Sequence, residues 1–173
     1  MKAFKILLVF ILLVSCNTPR AVYDYDQQTN FSQYNSYAIY QDLRTGLNEL
    51  DDRRLLNSLE NQLQQKNLSP SENPDLFVNV YSEEYREPNR SSVGIGVGGT
   101  GRNVGVGVSG GIPLGGPETF LRLTFDLIDA KRDELVWQAV VDSKFDWDAS
   151  PERRQATFDA IVAQALKGYP PKK

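Results

Sequence analysis

The sequence predicts an α+β fold, a two-layer sandwich in which a mainly antiparallel sheet carries two amphipathic helices on one face. Three observations lead to it. Residues 119–147 alternate between apolar and polar side chains as strands do, and residues 51–66 and 150–169 repeat apolar side chains with the period of a helix. A sheet that is apolar on one side needs a cover, and two helices with apolar faces supply one.

The chain begins with a short apolar segment behind two lysines. Nine apolar residues, Ile6 to Val14, follow Lys5 without a break. As a helix they would cover about 14 Å of a hydrocarbon core that is roughly 30 Å thick, which is too short to span it. A basic start and a short apolar stretch are typical of a secretory signal. We predict that residues 1–15 are a signal peptide, removed by cleavage between Ser15 and Cys16.

The end of this segment, Leu13-Val14-Ser15-Cys16, resembles the lipobox of bacterial lipoproteins. The resemblance implies that the Cys16 thiol carries a diacylglycerol and that the new amino group receives a further acyl chain such as palmitate. Two or more acyl chains hold a protein stably on a membrane, whereas one binds only marginally. We therefore predict a membrane partner through the lipid on Cys16, with residues 16–22 as a lipidated tether.

The compartment follows from the residues around the cysteine. Asn17 stands where an aspartate would, in some bacteria, retain a lipoprotein in the inner membrane. This favours the outer membrane of a diderm bacterium, with the body facing the periplasm. Cys16 is the only cysteine of the chain, so disulfides are excluded.

Composition excludes several functions. The net charge is −3, and loss of Lys2 and Lys5 with the signal peptide brings it to about −5, which argues against nucleic acid as a partner. The chain has no histidine, which removes imidazole bases, Ser-His and Cys-His nucleophiles and most transition-metal sites. We expect no cofactor, no metal and no enzymatic activity.

Residues 23–171 are predicted to form a single α+β domain. Its first elements are two short strands between residues 23 and 40, on either side of a turn near Thr29-Asn30, because aromatic and polar residues intermingle there.

A helix is predicted over residues 51–66, with four leucines on one face, Leu55, Leu56, Leu59 and Leu63. Asp51 or Asp52 is expected to accept hydrogen bonds from the free amides at its start. Asn67 tolerates the left-handed conformation that ends a helix.

The next predicted strand covers residues 75–83, with alternate apolar residues on one face. An antiparallel hairpin is predicted for residues 119–129 and 134–147, because the link between these two segments is short and polar. The odd positions of both arms are expected to be buried, from Leu121 to Leu127 and from Leu135 to Trp147. A final helix is expected to be capped by Ser150 and closed by Gly168.

Residues 93–116 are glycine-rich and contain a formal GxGxxG at Gly96–Gly101. No helix follows it, so it does not predict nucleotide binding. We predict a hairpin insert whose arms hold Val93, Ile95 and Val97 against Val104, Val106 and Val108. Its turn lies near Arg102-Asn103. Such an insert either packs weakly on the sheet, receives a partner strand or a second copy, or contacts lipid.

Several segments resemble a known family, the Domain of Unknown Function 4136 family of bacterial envelope lipoproteins. The similarity covers residues 22–171 and rests on "YDYDQQTNFSQYNSYAIY", "NPDLFVNVYSE", "LRLTFDLIDAKRDELVWQAV" and "ERRQATFDAIVAQALKGYPPK". It implies an α/β sandwich on a lipid anchor in diderm bacteria, and it brings no activity and no catalytic residues.

The sequence is compatible with three functions. The leading one is a non-enzymatic, membrane-anchored envelope lipoprotein that acts as an interaction or accessory module. A second is a binder of a small apolar or glycan ligand in a cleft lined by Tyr23, Tyr25, Tyr37, Tyr40, Trp137 and Trp147. A third is a hydrolase that uses two of the carboxylates Asp24, Asp26, Asp126, Asp129, Asp146 and Asp148. Asp129 and Asp133 alone are thin grounds for a calcium site.

Overall fold

The computed structural model describes residues 19–88, 92–94, 111–113 and 116–172. The elements in chain order are β1 (Arg20–Tyr25), a 3-10 helix (Phe31–Gln33), β2 (Ser36–Ile39), α1 (Glu49–Gln65), β3 (Ser69–Pro70), β4 (Leu76–Glu87), β5 (Ser92–Gly94), β6 (Gly111–Pro113), β7 (Glu118–Asp129), β8 (Glu134–Lys144) and α2 (Pro151–Leu166).

Six of the strands form one mixed sheet in the order β1-β8-β7-β4-β2-β3. The neighbours from β1 to β4 are antiparallel, whereas β4 with β2 and β2 with β3 are parallel. Buried side chains of both helices and of one side of the sheet form a common core. The predicted α+β fold with two helices is therefore confirmed.

The two short strands predicted near the amino terminus exist, but they do not pair with each other. β1 pairs with β8 and β2 pairs with β4, so three strands separate them in the sheet. The 3-10 helix occupies the predicted turn, where the Asn30 side chain accepts a hydrogen bond from the Ser32 amide. β1 also begins at Arg20, so three residues assigned to the tether belong to the sheet.

α1 begins earlier than predicted, because a different residue caps it. The Asn48 side chain accepts hydrogen bonds from the amides of Leu50 and Asp51, so the aspartates expected at the cap lie inside the first turn. The predicted end is confirmed, since Asn67 has a φ of 62° and the Leu68 side chain then enters the core.

β4, β7 and β8 supply the apolar face of the sheet with the predicted alternation. Leu76, Val78 and Val80 are buried, and so are the odd positions of β7 from Leu121 to Leu127. β4 is longer than predicted, because its charged second half still pairs with β7 as far as Glu87.

The alternation breaks at the start of β8, where the prediction for Leu135 is wrong. Leu127 pairs with Trp137 and Ile128 with Leu135, so Val136 is an extra residue in a β-bulge. The bulge shifts the phase by one residue. Val136 is therefore buried, whereas Leu135 is exposed.

α2 follows its prediction closely. Ser150 accepts from the Arg153 amide, Pro151 occupies the first turn, and the apolar stripe from Phe158 to Leu166 is buried. Beyond the helix, the chain passes close to β1, since a Cβ on Gly168 would lie 2.6 Å from the ring of Tyr23.

The glycine-rich segment is described only at its two ends. β5 pairs with β6 in antiparallel fashion, from Ser92 with Pro113 to Gly94 with Gly111. The predicted arms at Val97 and Val104 and the turn at Arg102-Asn103 lie outside the described residues, so that hairpin stays a prediction.

Candidate functional site: the open face of the sheet

The helices cover one side of the sheet, and we call the other side the open face. Its side chains come from alternate positions of four adjacent strands, in register with one another. They are Arg20, Val22 and Asp24 of β1, Gln138, Val140 and Asp142 of β8, Phe120, Arg122, Thr124, Asp126 and Ile128 of β7, and Phe77, Asn79, Tyr81, Glu83 and Tyr85 of β4.

An apolar row crosses the middle of the open face. Val22 pairs with Val140, Val140 with Thr124, and Thr124 with Tyr81. Val22 is 72% exposed and Tyr81 38% exposed, while Thr124 between them is buried. A partner that covered this row would remove the exposed apolar surface of Val22 and Tyr81 from water.

A polar row lies next to it, formed by Asp24, Gln138, Asp126 and Asn79. The Gln138 side-chain amide donates to the Asp126 carboxylate at 2.8 Å. The row sets hydrogen-bonding groups beside the apolar row, the combination that gives a protein interface its orientation.

On the other side of the apolar row lies a charged and aromatic cluster. Arg122 donates two hydrogen bonds to Asp142, at 2.8 and 3.1 Å, and the Tyr85 hydroxyl donates to the same carboxylate. The hydrogen bonds and the charge of Asp142 raise the pKa of Arg122. The pKa of the Tyr85 hydroxyl is raised chiefly by partial burial and secondly by the negative charge of Asp142. Tyr85 also stacks on Phe120, with ring centroids 5.5 Å apart.

Asp129, the last residue of β7, joins several chain segments by hydrogen bonds. Its carboxylate accepts from the Tyr34 hydroxyl at 2.7 Å, from the backbone amides of Lys131 and Arg132, and from the Arg132 guanidinium. Burial of the carboxyl opposes ionisation, but these hydrogen bonds outweigh it and lower the pKa of Asp129. Arg132 also donates to Thr29, so the network joins the β7–β8 loop to the segment after β1.

The carboxylates predicted for a hydrolase do not form one site. Asp24 and Asp126 lie in the polar row, whereas Asp26 bonds Thr29 at the end of β1. The Thr29 hydroxyl and the Gln28 amide lower the pKa of Asp26, and a general acid needs a raised one.

Two further candidates, Asp146 and Asp148, were expected on a strand, but β8 ends at Lys144. They lie in a turn in which Asp146 accepts from the Asp148 amide at 3.0 Å. This bond ties the two residues to local structure rather than to a shared site.

The structure does not support a calcium-binding site at Asp129 and Asp133. Asp133 has a φ of 54° in the tight loop, and the Asp129 carboxylate is occupied by the partners above. Within the described ranges, no three acidic, histidine or cysteine side chains are grouped closely enough to hold a metal ion.

The aromatic residues predicted to line a cleft are dispersed. Trp137 and Tyr37 are buried in the core, and Trp147 packs on Phe145. Tyr23 packs on Trp137 and donates to the Gln164 carbonyl at 2.6 Å. Tyr40 packs edge-on against Phe77. Of the six residues, Tyr25 and Trp137 border a common depression in the described part of the chain.

That depression, about 260 Å³ in volume, lies at the end of the β1–β8 pair beside Asp24 and Leu135. The buried Trp137 indole nitrogen has no hydrogen-bond partner among the described residues.

A buried ionic cluster, which the sequence does not predict, surrounds Asp51. Asp51 is fully buried and accepts from Asn48, from Arg54 at 2.7 Å and from Arg154 of α2. Arg154 also lies over the ring of Trp147, 5.4 Å from its centroid. The three-residue spacing of Asp51 and Arg54 was a usable local signal, but nothing local points to Arg154, which is 103 residues away.

Ser15 and Cys16, the predicted cleavage and lipidation residues, lie outside the described residues. Across residues 19–88 and 116–172, no helix combines the length and the apolar character needed to cross a membrane.

Solved structures are similar to this chain at low sequence identity. A PDZ domain protein from Parabacteroides distasonis has a TM-score of 0.53 and 12% identity, over 96% of this chain and 40% of that one, so the chain spans well under half of its length. The PelC dodecamer from Paraburkholderia phytofirmans has a TM-score of 0.48 and 16% identity, over 86% of this chain and 96% of that one. Among curated proteins, none is similar enough to count as a match.

A family model described as "Domain of unknown function (DUF4136)" matches residues 21–171. The match begins at the second residue of β1 and ends five residues after α2, so it includes the six-stranded sheet except Arg20, and both helices. This chain belongs to the DUF4136 family.

Proposed function

We propose that this protein is a non-enzymatic lipoprotein of the bacterial cell envelope, anchored by a lipid on Cys16, that binds another envelope protein through the open face of its sheet. The observation that carries the proposal is the apolar row. Its Val22 and Tyr81 are exposed, and it lies between the polar row and the charged and aromatic cluster. An apolar centre within a polar rim is the usual anatomy of a protein interface.

The anchor is supported by the sequence. Leu13-Val14-Ser15-Cys16 ends a short apolar segment, and Asn17 favours the outer membrane with the body on the periplasmic side. β1 begins at Arg20, four residues after Cys16, so the lipid and the body would be separated by at most about 14 Å of extended chain. A body held this close to a membrane meets its partners there.

The first experiment tests the anchor. Labelled palmitate should be incorporated into the native protein and not into a Cys16→Ser variant, and the variant should leave the membrane fraction. Mass spectrometry that found a free thiol at residue 16 in protein from its native host would rule the anchor out.

The second experiment tests the partner. A photo-crosslinking amino acid at Tyr81 of the open face is expected to trap a discrete adduct in intact cells. The matched control is the same group at Leu50 of α1, which is 55% exposed but lies on the helical side. Recovery of free monomer from the Tyr81 position, under conditions that trap known envelope complexes, would refute the interaction module.

The ligand-binding alternative has one observation in its favour, the depression lined by Tyr25, Leu135 and Trp137. A glycan or small apolar ligand seated there would change the tryptophan fluorescence. The change should disappear in a Tyr25→Ala variant, because Tyr25 forms one wall. A titration with envelope glycans and lipids that leaves the fluorescence constant would dismiss this alternative.

A further inference from the structure

The strand directions place several chain segments at one end of the sheet, which we call the near end. β1 starts there at Arg20, opposite Asp142. Because the next strands are antiparallel in turn, β8 and β4 also end there and β7 begins there. The loop between β7 and β8, with Lys131 at its start, lies at the far end.

The paired ends of β4 and β7 project from the near end. They stay paired to Glu87 and Glu118, four residues beyond the pair of Glu83 and Arg122, which is about 14 Å of strand. β8 accompanies β7 as far as Phe120, so the outermost pairs are two-stranded. We call residues 83–87 and 118–122 the ribbon.

The ribbon and the predicted anchor leave the sheet at the same end. Arg20 is the fourth residue after Cys16, so the lipidated residue lies no more than about 14 Å from the start of β1 in any conformation. The described part of β4 and β7 projects about as far beyond that level. A bilayer that holds the lipid of Cys16 is therefore within reach of the ribbon, whereas the far end of β1, at Tyr25, lies five residues further along the strand, about 17 Å from Arg20.

The near end has side chains suited to a membrane surface. Tyr85 and Phe120 stack on each other, and the guanidinium of Arg122 lies 5.3 Å from the centre of the Tyr85 ring. Lys144 donates to Glu118 at 2.6 Å. Aromatic rings with nearby cations are characteristic of the headgroup region of a bilayer.

Several charges of the near end are paired: Arg122 bonds Asp142, Lys144 bonds Glu118, and Arg86 lies 3.9 Å from Glu84. The ribbon also exposes Glu83 and Glu87, so contact there would be with zwitterionic rather than anionic headgroups. The far-end loop is charged as well, since it exposes Lys131, Arg132, Asp133 and Glu134 in succession.

We propose that the near end of the sheet, through the ribbon, lies against the bilayer that holds the lipid of Cys16, with the β7–β8 loop pointing away from it. This inference rests on the proposed anchor. It gives the molecule a fixed orientation, in which the open face stands upright beside the membrane and presents its rows to a neighbour anchored in the same surface.

The test uses the full chain, acylated and placed in phosphatidylcholine vesicles that carry a headgroup quencher. The natural cysteine is consumed by the lipid, so an introduced thiol takes a fluorophore alone. One variant is Arg86→Cys in the ribbon, where the native side chain is 70% exposed, and its matched control is Lys131→Cys in the exposed far-end loop. The label at residue 86 should be quenched several-fold more than the label at residue 131.

Two outcomes separate this inference from the anchor. Acylated protein that floats with the vesicles but shows equal quenching at both positions, or stronger quenching at residue 131, would refute the orientation and leave the anchor intact. Protein that is not acylated and does not float would refute the anchor itself, and the orientation with it.

Discussion

Replacement of Asp51 by asparagine should destabilise this protein more than any exposed charge change in the same helix. Asp51 is fully buried in the first turn of α1, and its carboxylate bonds two arginines, Arg54 of the same helix and Arg154 of α2. The side chains of Arg54 and Arg154 are only 16% and 17% exposed, so water reaches them poorly. Asp51→Asn keeps the shape of the side chain and removes its charge.

The expected loss follows from what the variant leaves behind. Two guanidinium groups remain largely buried without a counter-ion, and breaking a buried ion pair in this way costs about 3–5 kcal/mol. The variant also gives up the favourable placement of an anion at a helix amino terminus, a smaller effect of about 0.3–1 kcal/mol. We therefore expect the free energy of unfolding to fall by about 3 kcal/mol or more.

The assay is equilibrium unfolding in urea, followed by circular dichroism. Glu49→Gln is the matched control, because Glu49 is a carboxylate in the same turn, is 89% exposed and faces Arg53 at 3.9 Å. This control should lose less than about 1 kcal/mol, as exposed pairs do. If Asp51→Asn lost no more than Glu49→Gln, the argument that Asp51 neutralises the two buried arginines would be wrong.

Two further substitutions test other contacts. Gly168→Ala should lower the free energy of unfolding by about 1–3 kcal/mol, because the added Cβ would lie 2.6 Å from the Tyr23 ring. The control is Gly116→Ala, whose Cβ meets no atom within 4 Å and which should change the free energy by less than about 0.5 kcal/mol. Equal losses of the two variants in thermal denaturation would contradict the close packing at Gly168. Tyr34→Phe should reduce the acid dependence of stability, because the pKa of Asp129 is lowered in the folded state and its contribution is lost as pH falls through that pKa. Removing the hydroxyl raises that pKa toward its unfolded value, so a plot of unfolding free energy against pH should be flatter for the variant below pH about 4, and an unchanged slope would contradict the role of the hydrogen bond.

Much of the fold could be read from local patterns. The periods of β7 and α2 depend only on residues two to four apart, and both elements were predicted within a few residues of their observed bounds. The cap at Ser150 and the left-handed Asn67 are likewise local, because each depends on the backbone within one turn.

Predictions from local patterns were wrong where the position of a residue depends on a partner that is distant in the sequence. Asp51 has the sequence signature of a cap, yet Asn48 caps the helix and Arg154 of another helix keeps Asp51 buried and paired. Leu135 fits the alternation of its strand, yet a bulge opposite β7 turns it outward and Val136 inward. Neither partner is marked by any spacing in the sequence.

By itself, the sequence determined the longer strands and both helices, that the fold is α+β, and the family to which the chain is similar. It did not predict the short strand β3 or the end of β8 at Lys144. Only the tertiary structure decided that β1 crosses to β8 instead of pairing with β2, which rows form on the open face, and that the ribbon leaves the sheet at the end where β1 begins. The physical reason is the range of the interactions. Helix and strand periodicity comes from neighbours along the chain. Strand order and direction depend instead on apolar burial and hydrogen bonding between segments far apart in the sequence, such as Tyr37 with Leu76 and Tyr25 with Trp137.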